Sequence, residues 1–107
     1  MNTFQEYQSL ATKVPASLRN NRDRILLPVS GLQQEVGKIG SLLTAATLSG
    51  TFTMTPDQRG ELKDRLAEAL WCLTLVSEEA GLSLQEVAEH SATQLRSRAS
   101  QLDPDRR

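Results

Sequence analysis

The stretch from Thr55 to Gly81 constrains the fold more than any other part of this sequence. Thr55 precedes Pro56, and Gln58 follows three residues later, which is the pattern of a capping box at the first turn of a helix. Apolar residues then recur at alternating spacings of four and three, and they are Leu62, Leu66, Ala69, Leu73, Val76 and Ala80. This spacing predicts one long amphipathic α-helix. Gly81 is predicted to end it, because glycine readily adopts the left-handed conformation found at helix ends.

Two helices are predicted before this one. The first covers residues 3–14 and stops before Pro15. Residues 16–24 are polar and basic, and both an irregular connection and a helical turn fit them. The second begins within residues 25–29, so that Pro28 falls in its first turn, where a missing N–H costs nothing. Its predicted inward residues are Val29, Leu32, Val36, Ile39, Leu43 and Ala46.

Three glycines interrupt the second helix before Gly50 ends it, and they are Gly31, Gly37 and Gly40. Each costs about 1 kcal/mol of helix propensity relative to alanine. We therefore expect a neighbouring helix to approach closely along them. The loop that follows is short, which makes the second and third helices antiparallel neighbours.

A last helix is predicted from Ser83, whose capping partner is Glu86, to near Ala99. Its inward residues are Leu84, Val87, Ala88, Ser91 and Leu95. Because no strand pattern is present, the predicted fold class is all-α, an antiparallel four-helix bundle. Residues 1–102 are expected to form a single helical domain, and the charged tail 103–107 is expected to be disordered.

Composition argues against several classes of function. The 107 residues carry a net charge of −1, so no basic field is available to bind a nucleic-acid polymer. One Trp, one Tyr and two Phe offer few surfaces for base stacking. The single cysteine, Cys72, cannot form an internal disulfide, and no apolar run reaches the roughly 20 residues that span a bilayer. These features indicate a cytoplasmic protein without a membrane partner.

Apolar residues outside the predicted stripes indicate self-association. Long helices with narrow apolar stripes do not bury every apolar residue within a chain of this size. The residues expected to remain exposed in a monomer are Leu42, Leu70, Trp71 and Leu75. Coverage by a second subunit predicts a homodimer or a tetramer.

Four segments of the sequence resemble one family of enzymes. They read FQEYQSLA, GLQQEVGKI, LKDRLAEALWCL and GLSLQEVAEHSATQLRSR, and they extend from Phe4 to Arg98. In this order they are similar to the MazG-like nucleotide pyrophosphohydrolases, an all-α family. There, a Glu-Glu-x-x-Glu motif on one helix and a Glu-x-x-Asp motif on the next bind Mg²⁺, and a nucleoside triphosphate is cleaved to a monophosphate and pyrophosphate. The resemblance implies this fold, the Mg²⁺ cofactor and a nucleoside triphosphate as substrate.

Three of the five carboxylates of these motifs are replaced in this chain, by Gln34, Lys38 and Arg65. The carboxylates that remain are Glu35 and Glu68, which the resemblance implies as the catalytic and metal-binding residues. The family also has an Asn-x-x-Lys-Leu-x-x-Arg segment, of which the leucine and the final arginine are kept. The predicted substrate-binding residues are Lys38, Arg65, Arg98 and Trp71.

Charge arithmetic predicts an ion-pair cluster in place of the metal. The two acids, Glu35 and Glu68, face two cations, so the four charges sum to zero. In an antiparallel hairpin, two residues on opposite helices lie at about the same height along the axis when their numbers add up to a fixed sum, and Glu35 with Glu68 gives the same sum as Lys38 with Arg65. The acids then share one level, while Lys38 and Arg65 share another about 4.5 Å along the axis. Each acid is expected to pair with a cation on its own helix and with another diagonally across.

Simpler interpretations fit the same residues. Glu35 and Glu68 also fit exposed helix-surface acids in weak salt bridges. His90 has no second ligand at metal spacing and is expected at the surface, whereas Cys72 is expected in the core. Trp71 fits packing against another subunit as well as stacking on a base.

Two functions follow from these alternatives. The first is a nucleoside triphosphate pyrophosphohydrolase that has rebuilt its metal site, using Glu35 and Glu68 with one ion and further acids such as Glu61 or Asp64. The second is a non-catalytic helical dimer that binds a nucleotide, an anion or a protein partner through Lys38 and Arg65. Because only two of the motif carboxylates remain, we expect weak or lost Mg²⁺-dependent catalysis.

Overall fold

A computed structural model describes residues 3–13, 21–48 and 50–102, and these residues form four α-helices. The predicted tail 103–107 lies outside the described residues, as do residues 14–20 between the first two helices. The described part contains no β-strand, which confirms the all-α class. In chain order the helices are α1 (Phe4–Ala11), α2 (Asn21–Thr47), α3 (Pro56–Glu79) and α4 (Leu84–Leu102).

The predicted ends of α3 and the predicted start of α4 are confirmed. Thr55 Oγ1 accepts the N–H of Gln58 at 3.1 Å, and Gln58 Oε1 accepts the N–H of Thr55 at 2.9 Å. The same exchange joins Ser83 and Glu86, at 3.0 and 2.6 Å. Gly81 follows α3 with a φ of +75°, a left-handed conformation that glycine adopts without steric cost. These caps satisfy backbone groups that the helix itself leaves free.

Two helix boundaries differ from the prediction. A start within residues 25–29 is wrong, because α2 begins at Asn21 and carries Pro28 in its interior. Proline removes one helical N–H, but the side chain of Pro28 is buried, and this apolar burial offsets part of the loss. The last helix continues past Ala99 to Leu102.

Several residues that were predicted to face inward lie at the surface. They are Val36, Leu66, Leu73, Ala80, Ser91 and Leu95. In the hairpin of α2 and α3, the inward positions are taken instead by Glu35 and Arg65, each one residue earlier in the sequence. One residue along a helix corresponds to a rotation of about 100°, so the side of each helix that faces its neighbour is rotated away from the centre of the predicted apolar stripe. The ion pair that the charge pattern predicts therefore lies between the two helices, in place of the contact of Val36 and Leu66 that the apolar spacing predicts.

The core is small, and every helix contributes to it. Its buried apolar residues are Ala11, Ala46, Cys72, Leu75 and Leu84. Two hydroxyl side chains of α3 are also buried, and each donates to the carbonyl four residues earlier: Thr74 to Leu70 at 2.7 Å and Ser77 to Leu73 at 3.1 Å. These bonds within α3 satisfy the two buried hydroxyl groups. None of the helices in the described part is long and apolar enough to cross a membrane.

The side chain of Gln8 joins α1 to the turn between α3 and α4. Its Nε2 donates to Glu78 Oε2 at 2.7 Å and to the carbonyl of Leu82 at 3.2 Å. Its Oε1 accepts the N–H of Leu84 at 2.7 Å. The amide of Gln8 thus contacts the end of α3, the turn and the start of α4, and it holds the short α1 against them.

Candidate functional site

Glu35 lies at the centre of the candidate site. It is only 8% exposed and points from α2 toward α3. Both of its carboxylate oxygens lie 3.3 Å from Nη1 of Arg65 on α3. Lys38 Nζ lies 3.6 Å from Glu35 Oε1 and belongs to the next turn of the same helix. Glu35 therefore has the two partners that the charge pattern predicts, one on its own helix and one diagonally across the hairpin.

The two cations are not equivalent partners. The side chain of Arg65 is 29% exposed, whereas that of Lys38 is 53% exposed. Coulomb attraction is screened less where water is partly excluded, so the pair between Glu35 and Arg65 is the stronger of the two. Arg65 holds the buried carboxylate in place, while Lys38 adds a weaker contact at the rim.

Glu68 does not join this cluster. It is exposed, and it forms no ion pair with any residue that the structure describes. Three residues along a helix turn the side chain by about 300°, so Glu68 diverges from Arg65 by about 60°. Its field acts instead on Tyr7 of α1. The structure therefore brings together three members of the predicted quartet and leaves the fourth beside α1.

Tyr7 has a perturbed hydroxyl group. Partial burial raises the pKa of Tyr7 above its ordinary value, and the nearby charges of Glu68 and Cys72 add to this rise. A hydrogen bond with the side chain of Thr74 lowers the pKa and so opposes the rise. The phenol therefore stays protonated to a higher pH than an exposed tyrosine.

The remaining predicted site residues lie apart from Glu35. Trp71 is half-buried, and its Nε1 donates to the carbonyl of Ala11 at 3.1 Å, so the ring packs on α1 of its own chain. Arg98 is exposed on α4 and forms no ion pair within the described part of the chain. His90 is exposed and Cys72 is buried, as predicted for both.

The residues that were expected to contact a second subunit behave differently from one another. Leu75 is buried, and Leu42 and Trp71 are half-buried within the chain. Only Leu70 among the four is exposed. The prediction of exposure is therefore wrong for Leu75, because α3 turns this side chain into the core rather than away from it.

An open groove of about 760 Å³ adjoins the ion-pair cluster. It is lined by Gln34, Gly37, Lys38, Ser41, Leu42 and Glu61. Lys38 and Glu61 are the charged residues of this lining, and their charges cancel. The groove therefore offers no net positive charge to an anion.

A second open groove, of about 840 Å³, lies beside the connection between α2 and α3. It is lined by Phe52, Met54, Arg59, Gly60, Leu62, Lys63 and Leu66. The lining combines apolar side chains with two cations and contains no acid. The apolar spacing of the helices did not predict this groove. Phe52 and Met54 in the short connection were a signal for it, because apolar residues in a loop need something to cover them.

The residues present do not fit the Mg²⁺ site that the resemblance implies. Mg²⁺ requires several oxygen ligands in near-octahedral geometry. The carboxylate of Glu35 is bound by Arg65, and Glu68 is exposed and does not join the cluster. Within residues 3–13, 21–48 and 50–102, no group of three His, Cys, Asp or Glu side chains is arranged to hold a metal ion.

Comparison with protein-family models, with curated proteins and with solved structures gives no match to this chain. The resemblance to the MazG-like pyrophosphohydrolases therefore rests on the four segments quoted above. It stays a hypothesis about this chain, and the charge cluster around Glu35 is the feature on which it can be tested.

Proposed function

We propose that this chain is a non-catalytic helical protein that acts by binding and that works as a homodimer in the cytoplasm. In this proposal the chain keeps the frame of the MazG-like pyrophosphohydrolases without their Mg²⁺-dependent cleavage of nucleoside triphosphates. One observation carries the proposal: Nη1 of Arg65 lies 3.3 Å from both carboxylate oxygens of Glu35.

The electrostatics of this pair support the loss of metal chemistry. An Mg²⁺ ion bound to Glu35 would have to displace the guanidinium of Arg65 and then remain close to Lys38. A unit charge at about 4 Å repels another by about 4 kcal/mol at the effective dielectric constant of a protein surface, and a divalent ion experiences twice that. The two cations therefore neutralise the glutamate at a far lower cost than a metal ion would.

One observation favours the alternative of a rebuilt metal site. Glu61 lines the open groove beside Lys38 and is an acid that the family motifs do not require. An ion held there would use Glu61 and solvent, with Lys38 opposing it. Catalysis of this kind would depend on Glu61, whereas the non-catalytic protein has no turnover for Glu61→Gln to remove, which distinguishes the two proposals.

The character of the surface indicates what kind of partner the chain binds. The groove beside Lys38 has no net charge, and Arg65 is already paired, so neither cation is free to hold a phosphate group. The larger groove is apolar on most of its lining and carries Arg59 and Lys63 beside the apolar residues, a mixture that suits an apolar surface with acidic neighbours. A protein partner fits these features better than a nucleotide or another small anion does.

Metal titration together with an activity assay tests the proposal. We expect no heat of binding when Mg²⁺ or Mn²⁺ is titrated into the protein by calorimetry, and no release of pyrophosphate from a panel of nucleoside triphosphates. Metal binding with turnover would overturn the proposal. If turnover is found, the variant Glu61→Gln shows whether the rebuilt groove is responsible.

Charge reversal tests the position of the ion-pair cluster in the family's metal motif. The double variant Lys38→Glu with Arg65→Glu adds two carboxylates beside Glu35, and we expect it to gain affinity for Mg²⁺. The matched control is Lys38→Gln with Arg65→Gln, which removes the cations without adding acids. Equal Mg²⁺ affinity in the two double variants would show that the motif does not fall on residues 34–38.

A further inference from the structure

The larger groove carries two cations that have no acidic partner. Arg59 and Lys63 line it and are exposed, and neither forms an ion pair with a residue in the described part of the chain. They are four residues apart on α3, so they lie on one side of the helix, where two like charges repel each other. An anionic group bound in the groove would relieve this repulsion.

The acids of the same part of α3 lie away from the groove. Asp57, Glu61 and Asp64 are spaced by four and three residues and therefore share a side of the helix. None of them lines the larger groove, and Glu61 lines the smaller one beside Lys38 instead. The larger groove thus has a local positive charge, although the net charge of the chain is −1.

Four apolar side chains form most of the rest of the lining, two from the connection between α2 and α3 and two from α3 itself. They are Phe52, Met54, Leu62 and Leu66. The connection is hydrogen-bonded at both ends, because the N–H of Gly50 donates to the carbonyl of Thr47 at 3.0 Å and Thr55 caps α3. Phe52 is nevertheless 60% exposed. The groove therefore combines an accessible aromatic ring with two unpaired cations.

The shape and charge of the groove favour a peptide segment over other anionic ligands. Small-molecule sites usually enclose about 70–90% of the ligand surface, which an open groove does not do. An anionic membrane or a nucleic acid binds to a broader basic field than two cations on a chain of net charge −1 supply. A helical segment of another protein can follow the groove along its length and bury an apolar side in it.

We propose that the larger groove docks an amphipathic helical segment of a partner protein, whose apolar side covers Phe52, Met54 and Leu66 and whose acidic residues bind Arg59 and Lys63. The two cations are about 6 Å apart along α3, which is also the separation of two acids four residues apart on the partner helix. This inference rests on the proposed binding of a protein partner and adds the docking surface and the chemistry of the partner.

Selection from a peptide library tests the chemistry of the partner. Random peptides of about 16 residues, long enough to form a helix, are displayed on phage and selected on the full chain. We expect the enriched sequences to have apolar residues at spacings of three and four and more Asp and Glu than Lys and Arg. Enrichment of neutral or basic sequences, or no enrichment, would overturn the inference.

Charge reversal tests the role of the two cations. Fluorescence anisotropy measures the dissociation constant of the most enriched peptide, and we expect Arg59→Glu with Lys63→Glu to raise it by about tenfold or more. The same peptide with lysines in place of its acids should bind this double variant better than the parent. The matched control is Lys13→Glu with Arg96→Glu, which changes the net charge equally at exposed residues outside the groove. Equal weakening by both double variants would overturn the docking site.

Substitution of an exposed aromatic residue tests the apolar part of the groove. Phe52→Ser is expected to raise the same dissociation constant by about tenfold. The control is Leu48→Ser, because Leu48 is 81% exposed, precedes the same connection and does not line the groove. Circular dichroism checks that both variants are folded. If the two variants weaken binding equally, or if neither does, the peptide does not occupy this groove.

Two further measurements separate other occupants of the groove. We expect no co-sedimentation of the chain with phosphatidylserine vesicles, and we expect the same mass for the parent and the charge-reversed double variant in analytical ultracentrifugation. Vesicle binding that the double variant loses would assign the groove to a membrane surface, and loss of a parent dimer would assign it to a second copy. Either result would overturn the inference.

The outcomes also separate this inference from the proposed function. Failure of peptide binding in a chain that neither binds Mg²⁺ nor cleaves nucleoside triphosphates would overturn the inference alone. Peptide binding at the groove in a chain that does cleave them would overturn the non-catalytic function and support the docking surface.

Discussion

Glu35 shows how single residues decide which side of a helix is buried. Its carboxylate lies inside the hairpin although its neighbour Val36 is apolar and exposed. Burial of an unpaired carboxylate costs several kcal/mol, but pairing with a guanidinium removes most of that cost. Arg65 is therefore the residue that allows Glu35 to face inward.

Removal of the charge of Glu35 is expected to cost more than removal of that of Lys38. Glu35→Gln leaves the half-buried Arg65 without its anion, and we expect the free energy of unfolding to fall by about 1–2 kcal/mol. Lys38→Gln removes an exposed contact and is expected to cost less than about 0.5 kcal/mol. Urea unfolding of the two variants measures the difference. Equal losses would show that the buried pair has no special weight.

The raised pKa of Tyr7 makes stability depend on alkaline pH. The folded state binds the phenol proton more tightly than the unfolded state, whose pKa is near 10.0. The contribution of Tyr7 to the free energy of unfolding is therefore complete below that value and is lost as the pH rises through the pKa of the folded state. Between neutral and alkaline pH, the free energy of unfolding is expected to fall less for Tyr7→Phe than for the parent protein. The same alkaline loss in both proteins would contradict the assignment to Tyr7.

At the scale of the helices, the glycines of α2 have different roles. A Cβ atom built on Gly31 would lie 2.9 Å from Cys72 Sγ, so α3 approaches α2 closely at that point. A Cβ atom on Gly37 or Gly40 would meet nothing within 4 Å. The expected close approach of a neighbouring helix is therefore present at the first of the three glycines and not at the other two.

Alanine substitution is expected to separate these two cases. Gly37→Ala gains helix propensity in open space, and we expect it to raise the free energy of unfolding by about 0.5–1 kcal/mol. Gly31→Ala is expected to lower stability, because its methyl group displaces the buried Cys72. The same Gly31 substitution in a Cys72→Ala background should recover a large part of that loss. Thermal unfolding of the parent, the single variants Gly37→Ala, Gly31→Ala and Cys72→Ala, and the double variant checks this. A Gly31→Ala single variant that is more stable than the parent would contradict the close contact.

At the scale of the whole molecule, four helices do not enclose one large core. The radius of gyration is 17.2 Å, whereas a compact domain of this length has about 13 Å. On α4 the exposed apolar residues continue toward its end, at Leu95 and Leu102. The proposed association of two copies would cover part of this apolar surface.

Much of the candidate site was predictable, and the part that was not has a physical cause. The partnership of Glu35 with Lys38 and Arg65 follows from helix spacing and from the short connection in the hairpin. The position of Glu68 does not, because a turn of about 60° around α3 is enough to leave this side chain exposed and outside the cluster. The groove beside Phe52 also depends on how the connection folds back onto α3, which no local pattern specifies.

The sequence by itself determined where helices form and how they begin and end. Capping boxes such as Thr55 with Gln58 involve residues three apart, so their energy is local and does not depend on the rest of the fold. Tertiary structure alone decided which edge of each stripe is buried. Leu66 and Arg65 are neighbours on one helix, and only the position of Glu35 on the facing helix made the charged side chain the inward one.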